Sequence, residues 1–138
     1  MKPKIINILQ HPPAYEMYSN GLKPEINWNT PDGQWVGIAG YDWPNQLGNE
    51  VLKLTNEFDY EVWQPDLRAD KIYSHTFDNG LMHRLFPANK KNVRFGLRII
   101  SRFSSKQLLS SLKNEKPGYT ILHLNNPMHH LNLAIMQD

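Results

Sequence analysis

The chain contains no cysteine, which excludes a disulfide framework and a thiolate metal site and is compatible with a reducing cytoplasm. It has no apolar run near the ~20 residues that a membrane-spanning helix needs, and no signal-peptide core at its N-terminus. A Walker loop, a GxGxxG turn and a nucleophile elbow are also missing, so no sequence signature of those chemistries is present. Neither charge dominates: 15 Lys+Arg against 13 Asp+Glu leaves a net +2, too little to argue for a nucleic-acid partner. The histidines supply no metal set. His129 and His130 are neighbours and diverge on a helix, and His75 and His83 have no carboxylate at useful spacing. No repeat, low-complexity tract or linker interrupts the chain.

What remains is a chain of 138 residues, long enough for one domain, residues 1–138, with a core of its own. Lys4–Leu9 is apolar, β-branched and stopped by Gln10-His11-Pro12-Pro13, which reads as a first strand feeding a polar tip. Residues 14–32 show no period and read as an irregular excursion. Trp35–Gly40 reads as a short strand running into a loop. A helix is expected over about 45–56, its apolar positions Leu47, Val51, Leu54 and Phe58 keeping helical spacing.

Tyr60–Gln64 reads as a second parallel strand, closed by Pro65. The runs 72–77 and 81–86 flank Asp78-Asn79-Gly80 as a hairpin at one sheet edge. From Lys90 to Asn114 the pattern reads as a basic helix, with Lys90, Arg94, Arg98, Arg102 and Lys106 recurring every fourth residue. Ser104 and Gln107 suggest a capping box that divides it, and Leu108, Leu109 and Leu112 supply the apolar stripe of its second piece. Tyr119–Leu122 then reads as a buried parallel strand. It ends in His123, Asn125 and Asn126, after which Pro127 opens a helix. The expected fold is α/β, a Rossmann-like three-layer sandwich whose mostly parallel sheet carries a β-hairpin at one edge. Ligands of such sheets bind at the C-terminal ends of the strands.

The segment Lys116-Pro117-Gly118-Tyr119-Thr120-Ile121-Leu122-His123-Leu124-Asn125-Asn126-Pro127 resembles the "Lys-Pro-Asp-Ile-Ile-His-x-His-x-Pro" run of GT-B fold glycosyltransferases of the family 4 type. The leucine-rich helix before it and the first strand with its Pro-Pro exit are similar in character. The second histidine of that pattern is Asn125 here. The nearest match to the family's glycine-pair loop is Gly37-Ile38-Ala39-Gly40, displaced by the 14–32 excursion.

The resemblance implies the acceptor-side, N-terminal half of a nucleotide-sugar-dependent glycosyltransferase, retaining and without an obligatory metal. The donor would be held mainly by a C-terminal domain absent from this sequence, and no other cofactor is expected. On this reading His123 is the catalytic residue, and His11, Gly40, Trp43, Asn125 and Asn126 face a carbohydrate or lipid-linked acceptor. A satisfied core histidine at His123 and a plain N-cap at Asn126 are the structural alternatives. Trp28, Trp35, Trp43 and Tyr41 suit either sugar stacking or a core.

The sequence ends inside the helix that Pro127 opens, without a C-cap signal. A longer two-domain parent and self-association through the cut helix are therefore expected. The cations Arg94, Arg98 and Arg102 suit an anionic membrane surface, giving a cytoplasmic protein peripheral to the inner face of the membrane. A stand-alone Rossmann-like sugar- or metabolite-binding module without catalysis is the alternative function.

Overall fold

A computed structural model describes residues 2–9, 43–67 and 69–124, and only the backbone at 43–45, 93, 95 and 98–103. In chain order the elements are β1 (Lys4–Ile8), α1 (Trp43–Leu54), β2 (Asp59–Asp66), β3 (Tyr73–Thr76), β4 (Met82–Pro87), β5 (Asn89–Phe95), β6 (Arg98–Ser104), α2 (Lys106–Lys113) and β7 (Thr120–Leu124). The expectations at 14–32, at Trp35–Gly40 and for the helix after Pro127 lie outside the described residues.

Five strands form a mostly parallel sheet in the order β3-β4-β2-β1-β7. β1 pairs in parallel with β2 and β7, β2 pairs in parallel with β4, and β3 alone runs antiparallel, against β4. The chain is thus α/β in character, with the expected hairpin at one edge. Its turn is closed by Phe77 N donating to the Leu81 carbonyl and Gly80 N donating to the Phe77 carbonyl, and Gly80 takes the positive φ of 86° that a side chain would resist. Because β3 carries the chain back to the start of β4, the β2-to-β4 connection needs no crossover helix.

Two apolar clusters hold the sheet. Ile6, Ile8, Trp63 and Phe86 pack with Leu108 of α2, while Leu9, Tyr60, Val62 and Leu81 pack with Val51 and Leu52 of α1. Alternate residues of each strand feed different clusters, as the period of two requires. Helix α1 approaches closely through Gly48: a Cβ there would lie 2.3 Å from the Leu81 side chain and 2.7 Å from the Tyr60 ring. Leu47 is more than a third exposed and Leu54 is 85% exposed, so the buried face runs through Gly48, Val51 and Leu52 instead.

β2 outruns its expected end at Pro65. A proline inside an interior strand forfeits a ladder donor. Here the pairing with β1 stops at Ile8↔Trp63, and only the β4 side continues, to Asp66↔Pro87. The missing N–H therefore faces a position where no partner strand remains among the described residues.

The largest correction concerns Lys90–Asn114. Residues 89–104 form an antiparallel hairpin, a separate two-stranded sheet, and only Lys106–Lys113 is helical. Val93, Phe95, Ile99, Ile100 and Phe103 favour strand. Gly96, at φ 60°, leads the two-residue loop Gly96-Leu97 in the manner of a type II′ turn. A spacing of four is also a multiple of two, so the cations fitted either structure. In the hairpin they do not form one stripe: Arg94 pairs with Ile99, Arg98 with Phe95 and Arg102 with Lys91.

Helix α2 is capped one residue later than expected. Ser105 Oγ accepts from Leu108 N at 3.2 Å and donates to the Pro87 carbonyl at 2.7 Å. One hydroxyl thus caps the helix and ties the two ends of the hairpin together. Ser105→Ala should lower the unfolding free energy by about 1–2 kcal/mol, read as a lower urea midpoint at unchanged slope. An unchanged midpoint would show that the hydroxyl holds nothing.

β7 also departs from expectation. It is the outer strand of the described sheet rather than a buried one, with Ile121 53% and Leu122 40% exposed.

Candidate functional site

The parallel strands, taken in chain order as β1, β2, β4 and β7, lie in the spatial order third-second-first-fourth. The order reverses between β1 and β7, and open α/β sheets bind ligands beyond the C-terminal strand ends at such a reversal. β1 and β7 run in register there, with Asn7 opposite His123 and Ile8 opposite Leu124. His123 is exposed. Of the other expected site residues, His11, Gly40, Asn125 and Asn126 lie outside the described residues, and Trp43 opens α1 with its backbone alone described. A crevice shared by these residues and His123 is therefore not part of the described geometry.

The register lines up further polar residues across the sheet. His75 of β3 faces His83 of β4, His83 faces Val62 of β2, Val62 faces Asn7 of β1, and Asn7 faces His123 of β7. In-register partners share a sheet face, so one transverse row carries three histidines and an asparagine. The hairpin that pairs His75 with His83 was legible in the sequence. The row was not, because it depends on the order of the strands.

His83, Asn7, Gln64 and Asp66 are all fully buried. Gln64 donates from its amide nitrogen to the Asp66 carboxylate at 3.2 Å, which turns its amide oxygen toward His83 Nε2 at 3.1 Å. That oxygen can only accept, so His83 carries its proton on Nε2. Burial, with the charge of His75 adding to it, pushes the His83 imidazole down to about 3, and it is neutral at physiological pH. The result is a directed chain of donors from a neutral imidazole to a carboxylate at the C-terminal end of β2. Asn7 donates to the Tyr60 hydroxyl at 3.1 Å. Burial of that phenol raises its pKa, against the Asn7 bond.

A second set of charges lies toward the opposite end of the strands. Glu61, whose side chain is 6% exposed, meets Lys4 at 3.0 Å and Arg84 at 3.1 Å and accepts from Trp63 Nε1 at 2.6 Å. Lys4 also meets Glu115, at 3.0 Å. Burial alone would lower the Lys4 pKa, but the bonds to Glu61 and Glu115 outweigh it and raise the ammonium above its usual value. This set is a clamp between the strands and the β7 approach. A glutamate between Tyr60 and Val62 in an apolar strand was its one visible sign.

A shallow cavity of about 300 Å³ lined by Asn49, Phe77, Asp78 and Asn79 sits at the β3–β4 turn. That turn precedes β4, so it lies at the end of the sheet opposite the C-terminal ends of β1 and β7. Among the described residues no group of three or more His, Cys, Asp or Glu could hold a metal ion, and no helix is long and apolar enough to cross a membrane. No family model matches the chain, and no curated protein or solved structure matches it either.

Proposed function

We propose that the chain is the acceptor-side domain of a nucleotide-sugar-dependent, retaining glycosyltransferase, built as a three-layer Rossmann-like sandwich. The observation that carries this reading is His123 on β7, exposed beside β1 where the strand order reverses. The resemblance of residues 116–127 to the glycosyltransferase segment supplies the chemistry. His123 hydrogen-bonds a sugar hydroxyl at the crevice, and Asn125, Asn126, His11, Gly40 and Trp43 face a carbohydrate or lipid-linked acceptor. The donor is held mainly by a second domain, so the 138-residue chain alone turns over no nucleotide sugar.

In the two-domain enzyme, His123→Ala should lower turnover at least tenfold, about 1.4 kcal/mol of barrier, with little change in melting temperature because the ring is exposed. Loss of melting temperature with full specific activity in the folded fraction would overturn the assignment. Saturable sugar binding by the 138-residue chain, with no turnover by any longer gene product, would favour a binding module instead.

A further inference from the structure

We propose that the β5–β6 hairpin is a membrane-docking device that seats the protein on an anionic lipid surface. This goes beyond the transferase reading and stands without it.

Between Asn89 and Ser104 the chain carries Lys90, Lys91, Arg94, Arg98 and Arg102 and no Asp or Glu. The net +2 of the whole sequence conceals this concentration. Lys90, Lys91 and Arg94 are exposed. Among the described elements each strand of the hairpin packs chiefly on the other, and the pair forms a sheet separate from the five-stranded one. Seven residues per strand give a ribbon roughly 20 Å long.

Its tip is apolar. Leu97, at the second position of the two-residue loop, is 97% exposed, and a leucine there buries nothing in the folded chain. Arg94 Nε folds back on the Gly96 carbonyl at 3.3 Å, which sets a guanidinium just behind that leucine. An apolar side chain at an extremity with cations immediately behind it matches the layering of a bilayer interface, where acyl chains lie beneath anionic headgroups. A nucleic-acid backbone would meet the cations but leave Leu97 unused. The base of the hairpin joins the C-terminal end of β4.

The test is co-sedimentation of the 138-residue chain with vesicles of phosphatidylcholine alone or with 30% phosphatidylserine, without any sugar donor. Binding is expected only to the phosphatidylserine vesicles and should weaken as salt rises from about 0.1 to 0.5 M. Each cation near such a surface contributes about fivefold, so replacing Arg94, Arg98 and Arg102 by Gln should lower the partition coefficient at least about tenfold. Leu97→Ser should lower it about threefold or more, and at an exposed turn it leaves folding intact. Circular dichroism on each variant confirms the fold. No vesicle binding, equal binding to both vesicle types, or binding unchanged in both variants overturns the proposal. So does salt-sensitive binding to a single-stranded RNA with none to vesicles, or self-association that Leu97→Ser abolishes. Because no turnover is measured, a negative result leaves the transferase reading standing, and loss of activity in His123→Ala leaves this one standing.

Discussion

Acidification from pH 7 to pH 4 is expected to remove about 3 kcal/mol of stability through His83 alone. The folded-state pKa is pushed down to about 3, first by burial and then by His75. The unfolded chain holds an imidazole near its ordinary 6.5. Between those two values the unfolded state binds the extra proton. Stability therefore falls as pH drops through that window, by about 1.4 kcal/mol per pH unit, and is flat above it.

Domains of this size have about 5–15 kcal/mol in all, so the effect brings the fold near its limit. Other groups titrate in the same range, and the measurement that isolates this one is a difference. Urea midpoints of the parent and of His83→Gln should converge as pH falls from 6.5 to 4, because glutamine cannot charge. Parallel curves would show that His83 is accessible to protons in the folded state.

The second large effect is expected at Glu61. Its carboxylate joins β1, β2 and β4 by meeting Lys4, Trp63 and Arg84 at once. Removing one partner of a fully buried ion pair costs about 3–5 kcal/mol, since the other charge is left without compensation. The Lys4 and Arg84 side chains are 23% and 29% exposed, so water recovers part of that. Glu61→Ala should therefore cost about 3 kcal/mol. Glu61→Gln keeps an acceptor for the Trp63 indole and should cost about 1–2 kcal/mol. Lys4 retains Glu115, so Lys4→Met should cost less than either change on the glutamate. A loss below about 0.5 kcal/mol in Glu61→Ala would show that solvent replaces the carboxylate.

The strands of the large sheet were legible where composition and stop signals agreed. Lys4–Ile8, with its β-branched run and Pro-Pro exit, and the hairpin around Asp78-Asn79-Gly80 fall where the residues indicate. Residues 89–104 read as helix because a cation every fourth residue satisfies both a helix and a strand, while the apolar residues between them favour the strand that forms. Tyr119–Leu122 is as apolar as a central strand, yet it lies at the margin of the described sheet. Composition reports the tendency to be extended, whereas rank within a sheet is fixed by the other strands.

The same limit governs the site. His123 could be singled out from its place after a strand. The buried run His83–Gln64–Asp66 and the three-histidine row could not, because residues 19 apart in sequence, such as Gln64 and His83, meet only once β4 lies beside β2.

The tie between Ser105 and Pro87 also bears on how such a chain can vary. The hairpin leaves β4 at Asn89 and returns at Ser104, and these two residues are directly paired. A segment whose ends already touch can change length at little entropic expense, about 0.6 kcal/mol per doubling. It can also change character, because it forms a two-stranded sheet of its own, separate from the five-stranded one. This joint is thus a grafting point in the architecture. A homologous protein could carry a different ribbon or a tight turn here over the same sheet, and gain or lose a surface affinity in one evolutionary step without rebuilding its core.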